Sequence, residues 1–392
     1  MKQLKYILSL CLALALCLPL CAKEDGGNRW NVTVLAGAGY MPHAPEYDAL
    51  ASSFWYPTAD LRMGYHTTSD DPSSPATLFN FPTMGLGINW KGSGQFPWTG
   101  KSYLRDLLCL YGFFERDIIR TEKFSFGYDF SLGVGFNSAV YHPEENPGNT
   151  MFSSGILAYL GPSLHVKVRP SRHLEMGLVG RFTHLSTARL AYPNAGFNGL
   201  DLMASVRYSL AEPKLPLPKE SLGGSFEPGM LYEIYAGYGV HRCSMQWDAF
   251  GSTRPWPSFT FGGSACYRYI PRLSSGVGLD CFLFTREFLE HVAAAEAKLY
   301  PQLNPENYVY QPFAFGISAI QQLHYGNFTA WIQIGAYLYK RLGVAEQQGI
   351  TYQRFGGKIH FPKLNNMYLG IACKAHHFSR AASLDFTLGV RL

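Results

Sequence analysis

The sequence predicts an all-β protein, an antiparallel transmembrane β-barrel of the outer-membrane type. Two similar halves would hold about sixteen strands in total. Three observations carry this. The chain opens with an export leader. Its composition is aromatic and poor in charge: 15% aromatic, 16% charged, with 40 glycines, where a quarter charged is usual. And apolar and polar residues alternate with period two along many segments, with no long apolar helix after the leader.

Lys2 and Lys5 precede an apolar run from Tyr6 to Leu20, and Cys21-Ala22 leads into Lys23-Glu24-Asp25. Residues 1–22 read as a secretory signal peptide. Leu20 is bulky for the residue before a lipidated cysteine. The first half, residues 30–210, contains RHLEMGLVGRFTHLS at 172–186. Leu174, Met176, Leu178, Gly180 and Phe182 share one face; His173, Glu175, Arg181 and Thr183 share the other. NGLDLMASVRYSL at 198–210 repeats this, with Leu200, Leu202 and Val206 against Asp201, Ser205 and Arg207. An apolar outer face and a polar inner face suit a barrel wall in lipid. Residues 67–82, TTSDDPSSPATLFNFP, are long for a periplasmic turn.

A proline- and glycine-rich linker covers 211–229, and a second half runs from 230 to 392. Short links there (269–272, 324–326 and 363–366) alternate with longer ones, as periplasmic turns and extracellular loops do. REFLEHVAAAEAKLY at 286–300 reads as a helix in an extracellular loop or folded into the lumen. The last strand alternates Leu384, Phe386, Leu388 and Val390 with Ser383, Asp385, Thr387 and Arg391. The halves resemble each other: MGLVGRFTHLSTAR at 176–189 aligns with LGIACKAHHFSRA at 369–381, LDLMASVR with LDFTLGVR, and AGAGY at 36–40 with AGYGV at 236–240. One barrel of sixteen strands and two of eight are both permitted sizes; the long linker leans toward two.

The mature cysteines Cys109, Cys243, Cys266, Cys281 and Cys373 form no CxxC pair, so they read as small apolar side chains on strands rather than zinc ligands. The net charge of +5 is mild, and no basic helix or run points to nucleic acid.

The chemistry concentrates in FTHLSTARLAYPNAGFN, residues 182–198. His184 and Ser186 share the face of Leu178 and Phe182, the lipid face, and Asn198 has the parity of Leu200 and Leu202. Polar groups facing hydrocarbon are costly unless paired or placed at the headgroup boundary. A serine, an imidazole and an amide together also make a nucleophile, a base and an orienting group. A site opening sideways into the bilayer implies a membrane lipid as substrate. The alternative is an ordinary set of interfacial polar residues.

THLSTARLAYPNAGFNGLDL resembles the active-site hairpin of the outer-membrane lipid A 3-O-deacylase (PagL-like) family. That resemblance implies an eight-stranded barrel with His184 as base, Ser186 as nucleophile and Asn194 as oxyanion donor, with no metal. Thr187 stands where the family usually has Asn, and Asn198 where it has Glu; Asp201 points inward and is no substitute. The His-x-Ser and Asn198 also resemble the outer-membrane phospholipase A family, whose triad ends in asparagine. That second resemblance implies calcium and a homodimer.

The leading expectation is thus a serine esterase of a Gram-negative outer membrane that removes an acyl chain from lipid A. Ser186, His184 and Asn198 would be catalytic; Asn194, Thr187 and Gly196 would form the oxyanion and substrate loop, with backbone N–H groups of 187–195 helping. The alternatives are a calcium-dependent phospholipase A and a non-enzymatic pore or surface barrel. His377 and Ser379 read as a one-faced, non-catalytic relic of the same pair, because the loop after them is too short to supply Asn194 or Asn198.

Overall fold

The computed structural model describes residues 29–42, 54–93, 104–213, 226–302, 308–343, 349–378 and 380–392. The predicted leader and most of the linker lie outside the described residues. The remainder forms two closed antiparallel barrels of eight strands each, so the alternative of one large barrel is resolved in favour of two.

The first barrel comprises β1 (Trp30–Met41), β2 (Phe54–His66), β3 (Thr83–Lys91) and β4 (Leu107–Arg120), then β5 (Phe124–Phe136), β6 (Ile156–Val168), β7 (Leu174–Ser186) and β8 (Phe197–Ser209). Each strand pairs with the next, and β8 returns to β1 through a ladder from Asn31↔Ser209 to Tyr40↔Leu200. The second comprises β9 (Gly229–His241), β10 (Trp256–Ile270), β11 (Leu273–Phe284) and β12 (Tyr310–Tyr325), then β13 (Phe328–Leu342), β14 (Thr351–Phe361), β15 (Met367–His376) and β16 (Arg380–Arg391). It closes through β16 and β9, from Ser383↔His241 to Arg391↔Glu233.

Alternation decides which side of each wall is apolar. Leu86, Leu132, Leu178 and Leu202 stand outside, Leu178 at 58% exposure. Arg62, Asp129, Arg181 and Asp201 point inward and are buried. An eight-stranded barrel is just wide enough for side chains to fill it, and here they fill it with paired charge. In the first barrel Arg181 meets Asp60 at 2.6 Å, Arg62 meets Asp129 at 3.2 Å, and Glu115 receives Arg207 at 2.6 Å and Lys167 at 2.5 Å. In the second, Arg354 meets Asp280 at 2.8 Å, and Glu233 takes Lys358 and Arg391. Burial without a partner would cost each of these ions several kcal/mol, so the networks are a condition of folding.

The sequence repeat is also a structural one. Gly39 lies opposite Asp201 on β8, and Gly239 lies opposite Asp385 on β16. A Cβ on Gly39 would lie 2.4 Å from Asp201 Oδ1, and one on Gly239 2.2 Å from Asp385 Oδ1. In both barrels a glycine of the first strand makes room for the inward carboxylate of the last.

Short turns gather at one end of each barrel: residues 121–123 and 169–173 in the first, 271–272 and 326–327 in the second. The long 67–82 link sits at this end too. It holds a short helix, α1 (Pro75–Leu78), capped by Ser74, and buries Phe79 and Phe81. Its length is explained by that plug. Asn80 Nδ2 donates to Asp117 O at 3.2 Å, which fastens it beneath the strands. The opposite end of the second barrel carries α2 (Ser244–Phe250) and α3 (Arg286–Leu299). The latter is the helix predicted at 286–300. Thr285 caps it, and its buried Phe288, Leu289, Val292 and Ala295 pack with Cys243, Trp256 and Leu342. The five cysteines are free thiols.

Candidate active site

The predicted constellation lies at the long-loop end of the first barrel, where β7 passes into β8. His184 stands opposite Asn198 in the ladder, and its Nδ1 donates to Asn198 Oδ1 at 2.7 Å. An amide oxygen only accepts, so the ring nitrogen facing it carries the hydrogen. Nε2 is left with a lone pair, the form a general base needs. Ser186 is the last residue of β7, on the same face two positions on, and pairs with Ala158 of β6. It is 9% exposed, whereas Phe182, Leu200 and Leu202 of the same parity are open to the outside.

Residues 187–196 account for that cover. Ala188 and Arg189 both adopt left-handed backbone, φ 50° and 61°, unusual for residues with a Cβ. They reverse the chain directly after Thr187. Thr187 N–H then donates to Asn194 Oδ1 at 2.8 Å, which folds the loop back onto its own start. Gly196, at φ 75°, brings the backbone against the pair. A Cβ there would lie 2.9 Å from Leu185 O, 3.4 Å from His184 Cε1 and 3.6 Å from Ser186 Cβ. Only glycine suits both that conformation and that approach.

Sequence reasoning missed what holds this loop. Ala195 N–H donates to Thr150 O at 3.0 Å and Gly196 N–H to Met151 O at 3.2 Å, so the loop after β5 backs the site. Asn149 fixes that loop, accepting from Met151 N–H and Phe152 N–H and donating to Ala139 O. The Asn-Pro-Gly-Asn turn at 146–149 marked a bend, but nothing in it pointed to a partner so distant in sequence. Below, Leu185, Phe197, Tyr56, Met151, Phe152 and Tyr159 form an apolar plug, with the Tyr56 and Phe197 rings edge to face at 5.4 Å. The site therefore rests on a packed floor.

This geometry changes the expected oxyanion donors. The N–H groups of Thr187, Ala195 and Gly196 are each engaged within the fold. Thr187 and Gly196 shape the loop rather than offering free donors. Asn194 Oδ1 accepts from Thr187 N–H, and its Nδ2 is a hydrogen-bond donor.

Asp201 faces the lumen, as its parity predicted. It receives Lys91 Nζ at 2.5 Å, Tyr56 OH at 2.7 Å and Thr183 Oγ1 at 2.9 Å. Among the described residues one trio could in principle hold a metal, Glu115, Asp129 and His165. It is buried in the lumen away from Ser186, and Lys167, Arg207 and Arg62 already neutralise its carboxylates. In the second barrel, His377 does not share a strand face with a serine. The strand ends at His376, and His377 and Phe378 form a left-handed turn at φ 54° and 57°. Ser379 lies outside the described residues.

Comparison with known proteins bears on this hairpin. Residues 58–207 match the family model described as lipid A 3-O-deacylase (PagL). Residues 230–392 match the model described as acyloxyacyl hydrolase, C-terminal domain. The chain belongs to the lipid A 3-O-deacylase family. Its second barrel is thus matched by a family model of its own. No curated protein matches the chain. Solved structures similar to it include a Rhodopseudomonas blastica porin triple mutant, at 7% identity over 93% of this chain and 99% of that one, with a TM-score of 0.17. The NanC porin follows at 8% identity over 91% and 97%, TM-score 0.16. Such scores are too low to carry an argument. As a member of the deacylase family with a closed transmembrane barrel, the chain is a hydrolase of the lipid A deacylase kind, of a type that resides in the outer membrane.

Proposed function

We propose that the first barrel is a serine esterase that removes one ester-linked acyl chain from lipid A at its outer wall. The observation that carries this is the His184–Asn198 hydrogen bond of 2.7 Å beside Ser186, on the face that lipid covers. Ser186 Oγ attacks the ester carbonyl and gives its proton to His184 Nε2. Asn194 Nδ2 receives the negative charge that develops on the carbonyl oxygen. The intermediate collapses, the sugar hydroxyl leaves with the proton from His184, and an acyl-enzyme remains. Water, deprotonated by the same nitrogen, then releases the fatty acid. Asn198 holds the ring in one tautomer throughout, the task that a carboxylate performs in other triads. No step requires a metal.

The asparagine also favours a second reading, a calcium-dependent phospholipase A. The paired charges that cross both lumens argue against an open pore. One experiment separates the readings: purified protein in mixed micelles is offered lipid A and phospholipid, with calcium or with chelator, and the products are weighed by mass spectrometry. The esterase reading expects lipid A to lose one acyl chain without calcium, and Ser186→Ala to abolish that loss. Calcium-dependent lysophospholipid would replace it with the phospholipase reading.

A further inference from the structure

The support of the Ser186 site reaches beyond the loop that lies against it. Residues 137–155 join β5 to β6, and asparagine side chains pin this stretch from within. Asn137 Nδ2 donates to Arg105 O at 2.8 Å, and its Oδ1 accepts from Ala139 N–H at 2.7 Å. Asn149 Nδ2 donates to Ala139 O at 2.6 Å, so Asn149 is tied through Ala139 and Asn137 to the segment that leads into β4. Asn149 Oδ1 accepts from Met151 N–H and from Phe152 N–H, each at 3.2 Å. The residue is wholly buried, and both ends of its amide are engaged by backbone.

The choice of those two N–H groups matters. A trans peptide unit is planar, and its N–H and C=O point in opposite directions. Met151 N–H shares a peptide unit with Thr150 O, and Phe152 N–H shares the next with Met151 O. Asn149 Oδ1 therefore holds two successive peptide units by their N–H sides and turns their carbonyls away from itself. These are the carbonyls that accept from Ala195 N–H at 3.0 Å and from Gly196 N–H at 3.2 Å. Gly196 in turn packs its backbone against His184 and Ser186, and Asn194 stands two residues before it. Residues 194–196 are thus held from two sides. Thr187 N–H grips Asn194 on one, and the two aimed carbonyls grip Ala195 and Gly196 on the other.

We propose that Asn149 is a positioning residue for the Ser186 reaction. It acts through two peptide units and two hydrogen bonds, and it sets where Asn194 and Gly196 stand relative to the nucleophile and base. The proposal rests on the esterase reading of the first barrel and adds the β5–β6 loop to its machinery. A misplacement of about 1 Å at a reacting centre can cost about a hundredfold in rate, so an aim fixed by one buried amide is enough to govern turnover. A residue that merely kept the loop folded would change the number of competent sites and leave the turnover of each one alone.

The test uses the full-length protein in mixed micelles with lipid A, comparing wild type, Asn149→Ala and Asn149→Ser. Each variant is checked for a closed barrel by its heat-modifiable migration in gels. Competent sites are counted by complete labelling with a fluorophosphonate, which reacts with an activated serine. Per labelled site, Asn149→Ala should lower kcat about tenfold to a hundredfold with KM near that of the wild type, and it should label more slowly but to full extent. Serine retains an oxygen that can accept from N–H groups two and three residues on, so Asn149→Ser should recover much of the loss. Amide exchange in residues 187–198 should quicken in Asn149→Ala, a readout that needs no turnover. The proposal is overturned by an Asn149→Ala whose kcat per site is that of the wild type, by serine doing no better than alanine, or by exchange in 187–198 that does not respond. A wild type that hydrolyses neither lipid A nor phospholipid would instead bring down the esterase reading, and this role with it.

Discussion

The hairpins β7–β8 and β15–β16 occupy the same place in two barrels of the same design, yet they put their polar groups on opposite sides of the wall. In the first, β7 continues to Ser186, and ten residues pass before β8 begins. That length lets the chain reverse at Ala188–Arg189, fold Asn194 back onto Thr187 and lay Gly196 against His184. In the second, three residues separate the strands. The turn claims His377 for its left-handed backbone, and the histidine before it, His376, points inward to Tyr337. A histidine on a strand of fixed parity serves the lipid face or the lumen according to where the strand stops. Loop length, more than the His-x-Ser letters, sets what each copy can do.

The sharpest way to break this contrast is to remove the two groups in turn. Ser186→Ala should lower acyl release from lipid A by about 10³-fold or more, and His377→Ala should leave it unchanged, with fatty acid quantified by mass spectrometry. Equal losses would mean that the second hairpin acts. The lumens offer a test by stability. Arg181→Met leaves buried Asp60 with the Tyr111 hydroxyl and a longer contact to Arg62 at 3.9 Å, and should cost the first barrel about 3 kcal/mol, read as a lower urea midpoint in detergent. Asn194→Ala removes the proposed oxyanion donor and should reduce kcat by about 10²-fold with little change in KM; an altered KM alone would make it a binding residue. The smallest effect should come from Gly196→Ala, whose Cβ would crowd Leu185 O at a positive φ. A loss of about 1–2 kcal/mol in stability is expected, with a matching fall in activity.

Period two made much of this legible in advance. The inward Asp201 and the outward His184 and Asn198 follow from counting parity along strands whose apolar face is evident, and the helix at 286–300 follows from its apolar spacing. What parity cannot reach is where a strand ends. His377 was read one residue into β15, although the strand stops at His376. Nor can it see a loop's hydrogen bonds. Thr187 N–H looked available to substrate until Asn194 was found to hold it, and the Thr150–Met151 support lies more than thirty residues from Ser186. The 67–82 link looked too long for a turn because its burial of Phe79 and Phe81 is a tertiary fact.

The closure of each barrel on its own first strand has a consequence for biogenesis. β8 finds β1, and β16 finds β9, so neither sheet waits for the other half of the chain to hide its edge. Had all sixteen strands formed one ring, β1 would have stayed an open template for misassembly until the last residues arrived. Here the first sheet can seal once β8 is in place, and the second starts afresh. The chain thus roughly halves the longest sequence separation it must bridge in a single event, and with it the time spent as an unsealed, aggregation-prone intermediate.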